Sequence, residues 1–157
     1  MDGKQPMIEK YEYGDYAIVY NGQIYNTKEL KQTLKENGFS FNGHCDTEIL
    51  LKSYIHYGKD VVKHLNGIFS FAIWDSNKKE VFLARDHFGI KPLFYTLYNN
   101  TLIFSSEIKA LLKYPGIELK LNSESIGELI GIGPSHTPGT TIFKDIFEIK
   151  PAHFAIY

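Results

Sequence analysis

The amino-acid sequence predicts an α+β fold in which helices cover an antiparallel β-sheet. The spacing of apolar residues is helical in the early part of the chain and changes to a period of two after residue 67. The later apolar tracts are hydrophobic at both alternating positions, which indicates that both faces of the sheet are covered. The aromatic share is 15%, mostly Tyr and Phe, and this favours a β-rich interior.

The first predicted strand, DYAIVY, ends at Asn21 and Gly22. An Asn-Gly dipeptide most often closes a two-residue β-hairpin. The residues that follow do not resemble a returning strand, because NTKELKQTLKENG has helical spacing. The pair is therefore expected to mark a break between a strand and a helix, where no hairpin requires it.

Two helices are predicted next. The first begins at Asn26, which is expected to form a capping box with Glu29, and it buries Leu30 and Leu34 before it ends at Gly38. The second covers DTEILLKSYIHYG, and a short helical piece, KDVVKHLNG, follows it.

Four short strands are then predicted, over IFSFAIWD, EVFLARD, LFYTLY and TLIFSS. They are separated by SNKK, HFGIKP and NN, which are typical of the short turns between consecutive antiparallel strands. Two more helices are expected. One covers SSEIKALLKYPG and stops at Pro115 and Gly116, and the other covers NSESIGELIG.

Length and charge exclude several classes of function. A chain of 157 residues fits one globular domain, and a net charge of -1 gives no indication of binding to nucleic acid or to an anionic membrane. No apolar run approaches the roughly 20 residues that span a bilayer, and the first residues lack the apolar core of a signal peptide. A cytoplasmic location is expected.

Metal and phosphate chemistry has little support in the sequence. No two of the six histidines have the spacing of a helical metal pair, so no metal site is expected. Residues 75–77, Asp-Ser-Asn, begin like a calcium loop but lack the later Gly and Glu, and a turn is the simpler interpretation. In GIGPSHTPG, Pro134 removes a backbone donor that a phosphate cradle would use, so an irregular loop is expected there.

Cys45 is the single cysteine and the one residue that suggests a nucleophile. The neighbouring His44 is poorly placed to activate it, because side chains adjacent in sequence usually diverge. A half-buried structural cysteine is the expected role.

Five blocks of sequence carry a resemblance to a known family. They occur in the order VYNGQIYNTKELKQTL, GHCDTEILLKSYIHYG, LNGIFSFAIWD, VFLARDHFGIKPLFY and IFSSEIKALL. In this order and spacing they resemble the amino-terminal glutaminase domain of glutamine-hydrolysing asparagine synthetases, a class II glutamine amidotransferase. The resemblance implies the N-terminal nucleophile fold, a four-layer αββα sandwich of antiparallel sheets, with an incomplete domain over residues 1–157.

The resemblance also implies a role for the Asn-Gly pair. Hydrolysis of the glutamine amide passes through a tetrahedral oxyanion, which fixed hydrogen-bond donors stabilise. In the family such a pair forms the oxyanion hole, and it matches Asn21 and Gly22. The alternative is a strand-to-helix turn that needs a glycine with positive φ and leaves the asparagine without a function.

Two further positions bind the α-amino group of glutamine in the family. One is commonly Glu and is Gln23 here, which accepts a hydrogen bond but carries no charge. The other is Asp46, whose alternative role is to cap the following helix. Arg85 and Asp86 match a turn of the family and are expected to lock that turn and not to act as catalysts.

The sequence departs from the family at its beginning. The family's nucleophile is an N-terminal cysteine whose α-amino group is the base, whereas this chain begins Met-Asp and its GKQPM segment matches the middle of the family's domain. Cys45 cannot substitute, because its nitrogen lies in a peptide bond. We therefore expect a fragment that lacks the nucleophile and the synthetase domain with its ATP and Mg²⁺, and that is inactive alone.

Two function classes follow. The first is a glutaminase fragment of a homodimeric enzyme that transfers ammonia to aspartate, with glutamine as its substrate and no cofactor of its own. The second is a nonenzymatic binding or assembly domain that retains the amidotransferase fold. Sequencing the DNA upstream of Met1 discriminates between them, because a Met-Cys-Gly start there favours the enzyme.

Overall fold

The computed structural model describes residues 3–133 and 137–157. The described elements are, in chain order, β1 (Met7–Tyr11), β2 (Gly14–Ile24), α1 (Thr27–Glu36), α2 (Asp46–Tyr57), a 3₁₀ helix (Gly58–Lys63), β3 (Gly67–Asp75), β4 (Glu80–Arg85), β5 (Phe94–Tyr98), β6 (Thr101–Ser105), α3 (Ile108–Leu111), α4 (Ser123–Ile132), β7 (Phe147–Glu148) and β8 (Phe154–Ile156).

The strands form two antiparallel sheets. The first has the order β1-β2-β3-β4-β8 and the second has the order β6-β5-β7. The pairs β3–β4 and β5–β6 are hairpins between consecutive strands, as predicted. The HFGIKP segment is not a hairpin turn, however, because it carries the chain from β4 in the first sheet to β5 in the second. The predicted α+β class with antiparallel sheets is confirmed.

Hydrophobic clusters lie on both faces of the first sheet. Helices α1 and α2 pack on one face, and their buried residues join those of the strands in one core; its fully buried members include Ile18, Leu34, Leu50, Leu51, Phe71, Ile73 and Phe82. On the other face, Ala72 and Leu83 pack against Leu93 and Ile149. The prediction that both faces of the sheet are covered is confirmed.

The first two helices match the prediction, but the N-terminal cap of α1 does not. Leu30 and Leu34 are the buried residues of α1, and α2 ends at Gly58 with a φ of 59°. The expected capping box at Asn26 is wrong: this residue is the N-cap, but its side chain donates to the His64 carbonyl and accepts from the Asn66 N–H, both at 2.9 Å. The asparagine thus ties the start of α1 to the approach to β3.

Three other predictions differ from the structure. Strand β1 was not predicted, because MIEKY has only a weak alternation and contains two charged residues. The third helix has four residues and ends at Leu111, not at Pro115 as predicted. The predicted break at Asn21 and Gly22 is also wrong, because β2 continues through this pair to Ile24. The predicted loop GIGPSHTPG includes residues 134–136, which lie outside the described residues.

Candidate active site

Asn21, Gly22 and Gln23 lie inside the last part of β2. They pair in register with Ser70, Phe69 and Ile68 of β3. The turn into α1 follows at residues 25 and 26. The asparagine-glycine pair therefore does not form the strand-to-helix turn considered as an alternative.

Glycine is required at position 22 because β3 approaches too closely for any side chain. A Cβ atom there would lie 2.2 Å from the Ile68 carbonyl oxygen and 2.7 Å from Phe69 Cα. Gly67 meets the same restriction from the other strand, since its Cβ would lie 2.3 Å from the Gln23 carbonyl oxygen. The two glycines let the backbones of β2 and β3 lie close together at this point.

The N–H group of Gly22 points away from β3. Its register partner Phe69 donates its own N–H to Asp86 Oδ2 at 3.2 Å and accepts from the Asp86 N–H at 2.8 Å. Since the polar backbone groups of Phe69 are directed to Asp86, the Gly22 and Phe69 pair is of the non-hydrogen-bonded type. The Gly22 N–H is thus directed to the other edge of β2, which β1 pairs only as far as Ile18.

The neighbouring donors on this open edge confirm its direction. Tyr20 and Ile24 are two residues before and after Gly22, so in a strand their N–H groups point the same way. The Tyr20 N–H donates to Gln5 Oε1 at 2.6 Å, and the Ile24 N–H faces Asp46 Oδ2 at 3.4 Å. The Gly22 N–H therefore lies on this edge between two backbone donors that already have acceptors.

Asp46 is anchored against the same edge. It is the first residue of α2, with Cys45 as the N-cap, and no side chain caps this helix. The Asp46 carboxylate instead accepts a hydrogen bond from the Tyr20 hydroxyl at 2.7 Å. The alternative role of Asp46 as a helix cap is therefore wrong, and the structure brings it to the segment that contains Asn21, Gly22 and Gln23.

A buried ion pair fixes the loop before Asp46. Glu48 and Lys52 are joined at 2.6 Å with side-chain exposures of 5% and 4%. The carboxylate of Glu48 accepts from the N–H groups of Asn42 and Gly43, and Lys52 donates to the Ser40 carbonyl. Burial by itself raises the pKa of Glu48, but the hydrogen bonds from Lys52 and from the two backbone groups outweigh it and lower that pKa.

The Asn21 side chain lies on the opposite face of β2 from Tyr20, because side chains alternate along a strand. Its Nδ2 atom is 3.4 Å from the Ser106 hydroxyl, just beyond the end of β6. It lines a cleft of about 480 Å³ between the two sheets, together with residues that include Val19, Ser70, Leu93, Phe104 and Ser105. Gln23 is exposed on the same face.

Arg85 and Asp86 lock a turn, as predicted. Asp86 is fully buried and accepts from the N–H groups of Phe88, Ile90 and Lys91 in addition to that of Phe69. Burial raises its pKa, but these four backbone donors outweigh burial and lower the pKa below its usual value.

The side chain of Arg85 stabilises the same turn. Its guanidinium donates to the carbonyl groups of Gly89, Lys91 and Ile149 and pairs with Glu148 at 2.9 Å. The guanidinium is only 8% exposed. Both residues are thus committed to the fold.

Cys45 is half-buried with a free thiol. Within residues 3–133 and 137–157, no group of three or more His, Cys, Asp or Glu side chains could hold a metal ion. None of the helices in that part of the chain has the length and apolarity to cross a membrane. His136 lies outside the described residues.

Sequence reasoning missed Gln5, Tyr20 and Ser106. Tyr20 and Asp46 are 26 residues apart, and Asn21 and Ser106 are 85 apart. Neither contact leaves a local pattern in the sequence. The position of Tyr20 directly before the Asn-Gly pair is the one signal that could have identified it.

Comparisons with known proteins identify the family to which the chain belongs. The family described as glutamine amidotransferase domain matches residues 1–157. The glutamine-hydrolysing asparagine synthetase 3 of Bacillus subtilis (strain 168) is 49% identical over 151 residues, which are 96% of this chain and 25% of that protein. Asparagine synthetase 2 of the same organism is 39% identical over 158 residues, covering 98% of this chain and 21% of that protein.

A solved structure, the glutamine phosphoribosylpyrophosphate amidotransferase from B. subtilis complexed with ADP and GMP, is similar in fold. Its TM-score is 0.65 at 22% identity, and the match covers 97% of this chain and 29% of that one. This likeness confirms the predicted αββα fold.

The family match and the fold together define a glutamine amidotransferase domain. The chain belongs to the glutamine amidotransferase domain family, and its sequence is similar to part of two glutamine-hydrolysing asparagine synthetases. The resemblance predicted from the five sequence blocks is therefore confirmed. The chain spans about a quarter of the length of these two curated relatives.

Proposed function

We propose that this chain is the glutaminase domain of an ATP-dependent asparagine synthetase, which hydrolyses glutamine to glutamate and ammonia for transfer to aspartate. One observation carries the proposal: the Gly22 N–H is directed to an open strand edge on which the Asp46 carboxylate is also anchored. A donor for an anionic oxygen, the Gly22 N–H, and an acceptor for an ammonium group, the Asp46 carboxylate, then lie at the same strand edge. The names of the two relatives support the choice of acceptor.

The donors act where charge develops. Attack on the side-chain amide of glutamine turns its carbonyl oxygen into an anion, and donors that are already in place stabilise that anion without reorganisation. The Gly22 N–H and the Asn21 side-chain amide supply these donors. The absence of a Cβ at Gly22 keeps the backbone accessible to the substrate.

The opposite end of glutamine carries an ammonium group. Asp46 pairs with it through a charge-assisted hydrogen bond, which is stronger than a neutral one. Gln23 contributes an acceptor without charge. Since these contacts exist in both ground state and transition state, they govern substrate affinity more than the rate of the chemical step.

The nucleophile lies outside residues 1–157. Cys45 is the one cysteine of this sequence, and its nitrogen is in a peptide bond. It therefore lacks the free α-amino group that serves as the base in N-terminal nucleophile chemistry. An N-terminal cysteine of a preceding segment would supply both groups.

The remaining partners belong to the whole enzyme. ATP and Mg²⁺ would act in a synthetase domain that adenylates aspartate, and no step assigned to the glutaminase domain passes through them. The whole enzyme would be a homodimer in the cytoplasm.

The test uses the full-length enzyme with its N-terminal cysteine. Asn21→Ala should lower kcat by about 10²- to 10³-fold with a much smaller change in KM, because an oxyanion donor is worth most in the transition state. Asp46→Asn should mainly raise KM for glutamine. Gln32→Ala, an exposed position on α1, is the control and should change neither constant. A kcat for Asn21→Ala within a few-fold of the parent would show that the assigned oxyanion role is wrong.

A further inference from the structure

At the open edge of β2, the main-chain N–H and C=O groups of Tyr20 form hydrogen bonds with a side chain and not with a neighbouring strand. The ladder between β1 and β2 ends at the pair of Met7 and Ile18, so Tyr20 lies beyond it. There the carboxamide of Gln5 donates to the Tyr20 carbonyl at 2.8 Å and accepts from the Tyr20 N–H at 2.6 Å. The amide group of Gln5 thus occupies the place of a strand partner and fixes the residue directly before Asn21.

The side chain of Tyr20 holds one oxygen of Asp46. Its hydroxyl donates to Asp46 Oδ2 at 2.7 Å, and the Ile24 N–H faces the same oxygen at 3.4 Å. Burial, and then the hydrogen bond to Asp46, raise the pKa of Tyr20, so the hydroxyl keeps its proton at neutral pH and remains a donor. A carboxylate offers about four acceptor positions on two oxygens. Among the described residues both contacts fall on Oδ2, so Oδ1 is left to accept from a ligand.

We propose that Tyr20 is a positioning residue of the glutaminase site, whose hydroxyl orients the Asp46 carboxylate toward the α-ammonium group of glutamine. The inference rests on the proposed role of Asp46 in contacting that ammonium group. Without the hydroxyl, the carboxylate rotates more freely, and the substrate must order it on binding. Gln5 supports the arrangement, because it fixes the backbone from which the phenol ring projects.

The expected effect is on affinity for ligands that carry an α-amino group. In the full-length enzyme, Tyr20→Phe should raise KM for glutamine by about 2- to 12-fold, the cost of ordering one side chain on binding, and leave kcat within about 2-fold. Inhibition by L-glutamate should weaken by a similar factor. Inhibition by glutarate, which lacks the α-amino group, should be unchanged.

Tyr13→Phe is the matched control. Tyr13 lies in the same β1–β2 unit and is 55% exposed, and its substitution also removes one phenolic hydroxyl. It should change neither KM nor inhibition by glutamate. Asp46→Asn is measured beside both variants, so that the role of the carboxylate and the role of the tyrosine are scored separately.

The outcomes separate two kinds of failure. If Asp46→Asn raises KM and Tyr20→Phe does not, the positioning role is wrong while the role of Asp46 stands. If neither variant changes KM, the role of Asp46 itself is wrong and the inference fails with it. A Tyr20→Phe protein that unfolds, or that loses affinity for glutarate as much as for glutamate, would show that the hydroxyl supports the fold and not the ammonium site.

Discussion

Phe69 and Asp86 are joined by two hydrogen bonds. Phe69 lies in β3, the central strand of the first sheet, and Asp86 directly follows β4. The Phe69 N–H donates to the Asp86 carboxylate at 3.2 Å, and the Asp86 N–H donates to the Phe69 carbonyl at 2.8 Å. These bonds satisfy the backbone groups of Phe69, which point away from Gly22, its partner in register. A buried carboxylate distant in sequence therefore fixes the part of β3 that lies against Gly22.

Asp86→Asn should destabilise the fold strongly at neutral pH. Four backbone N–H groups point at this buried carboxylate, and an amide would turn its NH₂ group toward some of them, which costs about 3 kcal/mol of unfolding free energy. Urea unfolding at pH 7 measures the change.

The pH dependence of that variant is a second prediction. The folded-state pKa of Asp86 is lowered, so its stabilisation is fully present above the unfolded-state pKa of about 4 and is lost as pH falls through the folded-state pKa. The difference in unfolding free energy between parent and variant should be constant from pH 7 to about pH 5 and shrink below about pH 4. A difference that grows toward acid pH would contradict the assignment.

Gly22→Ala should also destabilise the fold, because the new methyl group would overlap the Ile68 carbonyl oxygen at 2.2 Å. Separating β2 from β3 to admit it costs about 3 kcal/mol, near the upper range for overpacking. Gly127→Ala is the control: Gly127 lies in α4 with no atom within 4 Å of an added Cβ, so it should be neutral or stabilising by up to about 1 kcal/mol. Equal unfolding midpoints for the two variants would show that the strands separate at no cost.

Glu48→Gln should destabilise by about 2 kcal/mol, because it removes the buried charge that accepts from Lys52 and from two backbone N–H groups, while Glu9 remains 3.3 Å from Lys52. Asp60→Asn makes the same chemical change in the exposed pair of Asp60 and Lys63. That control should leave the unfolding midpoint unchanged, since exposed pairs contribute little. If both variants shift the midpoint equally, burial of the Glu48 pair has no energetic consequence.

A polypeptide of residues 1–157 should release no glutamate from glutamine above background at any pH. Oxyanion donors alone cannot replace a covalent nucleophile, and the nitrogen of Cys45 is not free to act as its base. A coupled glutamate assay measures this directly. Glutamate release that disappears in Cys45→Ala would overturn the assignment of the nucleophile to a preceding segment.

The elements that could be predicted from the sequence are those whose buried side chains recur at a regular spacing along the chain. Leu30 and Leu34 are four residues apart and define the buried face of α1, and the strands β3 to β6 are visible as apolar tracts. The tendency of Asn-Gly to form a turn was overridden at residues 21 and 22, because both residues pair in register with β3 and the strand continues to Ile24. Tertiary pairing decides such cases, and local propensity does not.

The candidate site was predictable only in part. The family resemblance indicated Asn21, Gly22, Gln23 and Asp46, but it did not predict the steric restriction at Gly22. That restriction is the approach of Ile68 and Phe69 from another strand, which no local pattern encodes.

Each sheet is completed by a strand from the last part of this sequence. Strand β7 pairs with β5 in one sheet, and β8 pairs with β4 in the other. A nascent chain that has left the ribosome only as far as residue 146 therefore exposes one unpaired edge of β4 and one of β5 to neighbouring polypeptides. Such edges recruit foreign strands. Translation from residue 146 to residue 156 thus covers two strand edges at which co-translational misassembly could begin.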